Sequence, residues 1–193
     1  MDFGTLKSRV LGIIGRAPSD VCYELVTADI NQQMRLMVMQ STTTLTAAAS
    51  ITLPTDFLGA VDAYLDTDPR TPLRATTAGA LNRTSQSSGT TREYAIVDGA
   101  MLINPVGSDD IELRYYASLV DLSADSDEND VLTTYPSIYV YGVLAHHAAL
   151  IRDTEAVATW FAAYEKAKGQ ARAADTKQRM GGLPVAPVVR TAP

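Results

Sequence analysis

The chain has 193 residues, 46% of them apolar, with 16 Lys and Arg against 22 Asp and Glu and a single cysteine, Cys22. A chain of this length buries about 70% of the surface its unfolded form exposes, so its core needs no covalent staples. One thiol excludes an intramolecular disulfide framework and any cysteine-rich zinc module, and a formal charge of −6 argues against a broad basic face for nucleic acid.

Phe3, Leu6, Val10, Ile13 and Ile14 recur at helical spacing until Ala17-Pro18 breaks the run, which predicts a helix over about 2–16. The mixture of charged and apolar residues in this segment is unlike a signal peptide. With Ser19 or Asp20 as cap, Val21, Leu25, Ala28, Met34 and Met37/Val38 share one face of a second helix over about 20–40. Thr-rich text closed by Pro54 predicts a strand over about 44–53, and Phe57 to Leu65 a further one. Residues 76–92 read as a surface loop by composition. Asp98-Gly99, flanked by Glu93–Val97 and Ala100–Ile103, tolerates positive φ at both central positions of a type I′ turn and predicts a two-residue hairpin. Ile111 to Tyr115 alternates as a half-buried strand does.

Pro136 suits a first helical turn, with Thr133 or Thr134 as cap. The run from Ile138 to Ile151 is apolar nearly all round, so it reads as a helix over about 136–151 covered by its own domain or by a neighbouring subunit. Ile138, Tyr139, Tyr141 and Leu144 are its candidate subunit contacts. The run is shorter than the ~20 residues of a membrane span. A last helix, about 154–180, carries Val157, Trp160, Phe161, Tyr164, Ala167, Ala171 and Ala174 on one face and stops at Gly181-Gly182. The proline-rich remainder, 181–193, is predicted to be extended. Terminal helices forming a bundle, with a central antiparallel hairpin or small sheet over about 44–117, make a single α+β domain over 1–180. These features describe a soluble protein of a reducing compartment.

Charge is unevenly distributed. From Asp98 to Asp130 there are nine acids against Arg114 alone, and from Glu165 onward six bases against two acids. The two regions can attract each other within a subunit or between copies, or can each be solvated.

The chain carries no fingerprint of catalysis. His146 and His147 are adjacent on a helix and point about 100° apart, so they cannot share a metal. There is no His-Glu-x-x-His, no phosphate-cradling glycine loop and no Gly-x-Ser-x-Gly elbow. Cys22 reads as a buried, inert thiol. Asp125, Asp127 and Asn129 match the first, third and fifth positions of a calcium loop, but Asp130 stands where its glycine belongs and Pro136 where its bidentate glutamate belongs. An acidic connection into a helix N-terminus fits better, because the helix dipole favours negative charge there. No cofactor is expected.

The order of segments is more informative than any one residue. Leu53 to Phe57 (LPTDF), the Tyr-containing hairpin from Tyr94 to Pro105, the acidic connection from Leu122 to Leu132, and Tyr135-Pro136 opening a Tyr- and Ala-rich helix resemble the head-to-tail adaptor proteins of tailed bacteriophages. The pair of N-terminal helices fits the same pattern. The resemblance implies a structural virion protein of the neck, assembled in the host cytoplasm. It would form a homo-oligomeric ring, usually of twelve subunits, contacting the portal and tail or nozzle proteins and extending the channel for double-stranded DNA. On that reading Asp109, Asp110, Asp125, Asp127, Glu128 and Asp130 are candidates for the channel or a subunit seam. Leu183, Val185, Pro187, Val188 and Val189 are candidates for binding the portal or a neighbour. Competing readings are another neck or tail-completion ring, and a small metal-binding or hydrolytic protein using the 121–130 segment.

Overall fold

A computed structural model describes residues 1–83 and 89–181, and the predicted tail contacts Leu183, Val185, Pro187, Val188 and Val189 lie outside the described residues. The stretch that reads as one domain divides into two compact units: a helical one, Met1–Val38 with the chain from Val120 onward, and a β unit, Met39–Leu119. The fold class is α+β, as the alternation of helical and strand periodicities requires.

In the helical unit, α1 (Phe3–Ile14) starts where the Asp2 carboxylate accepts from the Thr5 amide at 2.7 Å. It ends at Gly15, whose φ of 72° only glycine adopts cheaply. The second helix, α2 (Val21–Gln33), is shorter than predicted. Met34, Leu36 and Met39 continue its apolar pattern and are buried, but the chain leaves helical geometry at Met34. Arg35 caps the helix end through Asn31 O at 2.7 Å and Met34 O at 2.6 Å. The buried face of α2 also differs from the predicted one: Cys22, Tyr23, Val26, Thr27 and Ile30 turn inward, while Val21, Leu25 and Ala28 face outward.

After a short α4 (Asp130–Thr134) come α5 (Pro136–Leu150) and the long α6 (Thr154–Arg179), whose first turn is capped by the Asp153 carboxylate on the Ala156 amide at 3.0 Å. The central helix, α5, packs against α1, α2, α4 and α6. Its own chain therefore supplies the neighbours that an all-round apolar helix requires. Ile138, Tyr139 and Leu144 are fully buried within this unit, which corrects the expectation that they face another subunit. Tyr141 is half-buried and stacks on Trp160 at 6.2 Å.

Both histidines sit on α5. The His147 Nε2 accepts from Arg16 Nε at 3.1 Å, and burial, then that guanidinium, hold its pKa below the ordinary 6.5. The buried His146 Nε2 has no hydrogen-bond partner among the described residues. Burial lowers its pKa first; Asp29 opposes this and Lys168 adds to it. An unfolded chain takes up these protons near pH 6.5 while the folded one resists, so stability is complete above that pH and is lost as the pH falls through the folded values. Chemical denaturation between about pH 7 and 5 should show a slope of up to about 1.4 kcal/mol per pH unit for each imidazole, and replacing both by glutamine should flatten it.

Among the described residues the β unit has eight strands. They are β1 (Gln40–Leu45), β2 (Ser50–Thr52), β3 (Phe57–Leu65), β4 (Thr71–Pro72), β5 (Arg74–Ala75), β6 (Glu93–Val97), β7 (Ala100–Asn104) and β8 (Ile111–Ala117). They form two sheets, ordered β1-β8-β3-β4 and β2-β7-β6-β5, antiparallel except for the β5–β6 pair. The single strand predicted over 44–53 is thus two: β1 pairs with β8, and β2 with β7. The hairpin is as predicted, with φ of 49° at Asp98 and 75° at Gly99 and Val97 opposite Ala100. Ile51, Leu65, Met101, Ile103, Ile111 and Leu113 from both sheets meet in one core. A short helix, α3 (Ala78–Arg83), interrupts the predicted loop, started by Thr77 and anchored by the buried Leu81.

Candidate functional site

The acidic connection from Asp121 to Asp130 was the strongest candidate for chemistry, and its carboxylates diverge. Asp127 turns back on its own loop. Its Oδ2 accepts from the Ser123 amide at 2.9 Å, the Ser123 hydroxyl at 3.0 Å and the Ala124 amide at 2.8 Å. Those bonds, the Ala124 amide foremost, hold its pKa below the usual carboxylate range. Asp125 pairs with Lys7 of α1. Asn129 caps α4, its Oδ1 accepting from the Leu132 amide at 2.8 Å while its Nδ2 donates to the Tyr139 hydroxyl at the same distance.

The loop backbone completes this anchoring. The amides of Phe3 and Gly4, unpaired by any helical carbonyl, donate to the carbonyls of Asp127 and Asp125 at 2.9 Å. A Cβ on Gly4 would lie 3.2 Å from that of Asp125, so glycine allows the loop to approach the helix start. Three residues at calcium-loop positions thus face three directions, and the segment works as a clasp joining α1 to the α4–α5 junction. Replacing Asn129 by alanine should cost about 1–2 kcal/mol, the value of a lost N-cap with a buried hydroxyl partner removed. Urea denaturation reads this loss, and added calcium should leave the midpoint unchanged.

The six candidate acids do not share one unit. Asp109 and Asp110 lie on the β7–β8 connection of the β unit, half-buried and exposed respectively. Asp125, Asp127, Glu128 and Asp130 belong to the helical unit, where Glu128 and Asp130 are exposed and Asp130 sits in the first turn of α4. No group of three His, Cys, Asp or Glu side chains among the described residues is arranged to hold a metal ion. Cys22 is buried, and burial pushes its thiol pKa up, away from nucleophilic chemistry.

Sequence reasoning missed the most concentrated set of charges, at the α2–α6 contact. The Lys168 ammonium lies 3.2 Å from Asp29 Oδ2, 3.0 Å from Gln33 Oε1 and 2.6 Å from Glu165 Oε1. The Tyr164 hydroxyl donates to the same Asp29 oxygen at 2.6 Å, and burial with the carboxylate beside it raises the phenol pKa strongly. The available signal was a lysine four residues after Tyr164, inside the apolar arc of α6. The buried Lys168 ammonium has three acceptors within the cluster, and Asp29 takes the Tyr164 hydroxyl as well, as a structural ion pair requires.

No helix among the described residues is long and apolar enough to cross a membrane. No curated protein matches the chain. A family model described as SU10 adaptor protein matches residues 1–190. That match spans the clasp, both units and nearly all of the terminal segment, so the chain belongs to the SU10 adaptor protein family, a family of phage head-to-tail adaptors.

Proposed function

We propose that this adaptor forms a ring between the portal and the tail, extending the channel through which the genome is retained and then released. Membership of the adaptor family carries this reading. Partners would be further copies of the chain, twelve in a closed ring, together with the portal, tail or nozzle proteins and DNA in passage. The protein would be a neck component of the virion, assembled in the host cytoplasm.

The charge distribution supports a conduit. Asp110, Glu128 and Asp130 are exposed and make none of the clasp bonds described above. Acidic side chains along a lumen repel phosphates, so DNA would slide past without adhering. Asp125 and Asp127 have local partners and would contribute less to that field. Leu183, Val185, Pro187, Val188 and Val189 are apolar enough to dock on the portal or on a neighbouring subunit.

Mixing the purified chain with portal rings tests the reading. Negative-stain images should show a second ring stacked on the portal, and a chain ending at Gly181 should no longer bind. A full-length chain that ignores the portal would sink the proposal. With Asp110, Glu128 and Asp130 reversed to lysine, rings should still form but DNA release should slow; unchanged release would remove the channel role of these acids.

A further inference from the structure

Two glycines lie inside helices of the helical unit with open space around them. A Cβ on Gly12 of α1, or on Gly169 of α6, would meet nothing within 4 Å. By contrast, a Cβ on Gly142 of α5 would strike Val26 and Tyr164. Glycine within a helix is unfavourable relative to alanine, and packing inside the chain explains Gly4 and Gly142 but neither Gly12 nor Gly169.

Both open glycines sit beside apolar residues that the chain leaves uncovered. On α1, Leu11 and Ile13 flank Gly12 and are nearly half exposed. Gly169 lies on the exposed side of α6 with Ala162, two turns earlier. Beside α6 runs α2, tied to it through Asp29, Gln33 and Lys168, and its exposed side carries Val21 at 47% and Leu25 at 42% exposure. These α2 side chains sit at the i, i+4 spacing of a docking stripe. The two faces also differ in charge. On α1 the exposed Arg9 and the Arg16 that follows it have no acid between them, Lys7 being paired with Asp125, whereas the exposed acids Asp20, Glu24 and Glu155 lie at the starts of α2 and α6, with the bases Lys166, Arg172 and Lys177 further along α6.

We propose that the α1 face of one copy packs on the α2/α6 face of a second copy, with Gly12 and Gly169 admitting close approach of the helices. This rests on the ring reading above and names its seam. Two unlike faces of one chain make a heterologous contact, the kind that repeats around a ring. Opposite charge orients the pair, and the apolar stripe supplies the buried area.

The experiment uses one-sided variants of the full chain, alone at high concentration and with portal, followed by light scattering and negative stain. Leu11→Glu disables the α1 face and Leu25→Lys the α2/α6 face, so each alone should remain a monomer. Mixed in equal amounts they should form a one-to-one dimer, because each retains the face the other lacks. Gly169→Leu should keep or raise the thermal midpoint of the monomer, since the side chain meets open space, yet abolish the ring. Rings from any single variant as readily as from wild type would overturn this seam and leave the ring reading standing. Variants that stay monomeric when mixed would overturn the pairing of these two faces. A wild-type chain that forms no ring, alone or on portal, would overturn the ring reading and the seam with it.

Discussion

Replacing Lys168 with alanine is expected to destabilise the helical unit by about 3 kcal/mol, read as a fall in the urea midpoint with unchanged slope. The lysine side chain is 2% exposed, and Asp29, its carboxylate partner from α2, is 20% exposed. Truncating one member of such a pair costs about 3–5 kcal/mol, chiefly because the remaining charge is left without compensation. The lower end applies because Asp29 reaches water at one edge and keeps the Tyr164 hydroxyl, while Glu165 is 60% exposed and readily rehydrated. The lysine stem also packs under its ammonium, which sits 4.4 Å from the centre of the Tyr164 ring. Lys168→Met keeps most of that stem and separates packing from charge. Combining it with Asp29→Asn removes both charges, and the double variant should lose clearly less than the sum of the two single losses. A Lys168→Met chain as stable as wild type would show that the pair contributes nothing.

The same cluster shows what a sequence can and cannot reveal. Of the seven residues that the periodicity of α6 placed on one face, Tyr164, Ala167 and Ala171 are buried, Val157 and Trp160 half-buried, and Phe161 and Ala174 exposed. Lys168 lies on that arc, but its partner Asp29 is far away in the chain, so no local pattern announces the pair. Local chemistry was enough for the Asp98-Gly99 turn, whose two positive φ values few other residue pairs tolerate. It was not enough for α2, which is apolar on two arcs. Val21 and Leu25 define one and Val26 and Ile30 the other, and only the packing of α5 decides which turns inward. The predicted extension of α2 to residue 40 failed for a related reason. Gln40–Leu45 gains its ladder from β8, more than sixty residues later, and that pairing outweighs a continuing helical pattern. In the acidic connection the residue types were legible, but their roles as cap and clasp depend on where the start of α1 lies. Family membership was legible in the order of segments, whereas the outward faces of α1, α2 and α6 needed the burial of each side chain.

Gly142 to valine is expected to be the most damaging single substitution in the helical unit, costing more than about 3 kcal/mol. A Cβ at this position would lie 2.8 Å from Val26 Cγ2, 3.0 Å from Tyr164 Cε2 and 3.1 Å from Val26 Cγ1. Those atoms belong to α2 and α6, so the missing side chain is what lets α5 approach both helices at once. Neither neighbour can yield cheaply. Val26 is fully buried with one strongly preferred rotamer in a helix, and Tyr164 is fixed by its hydroxyl bond to Asp29. Alanine here gains about 1 kcal/mol of helix propensity and pays about 1–3 kcal/mol of overpacking, so a net loss of about 1 kcal/mol is expected. Valine adds two methyl groups to the same gap and loses part of the propensity gain. The control is Gly169→Ala on α6, where the added methyl meets open space and the monomer should gain up to about 1 kcal/mol. Opposite signs at two helical glycines, measured by thermal and urea unfolding of the dissociated chain, would separate close packing from backbone propensity; equal signs would show that the approach at Gly142 does not govern the packing of α5.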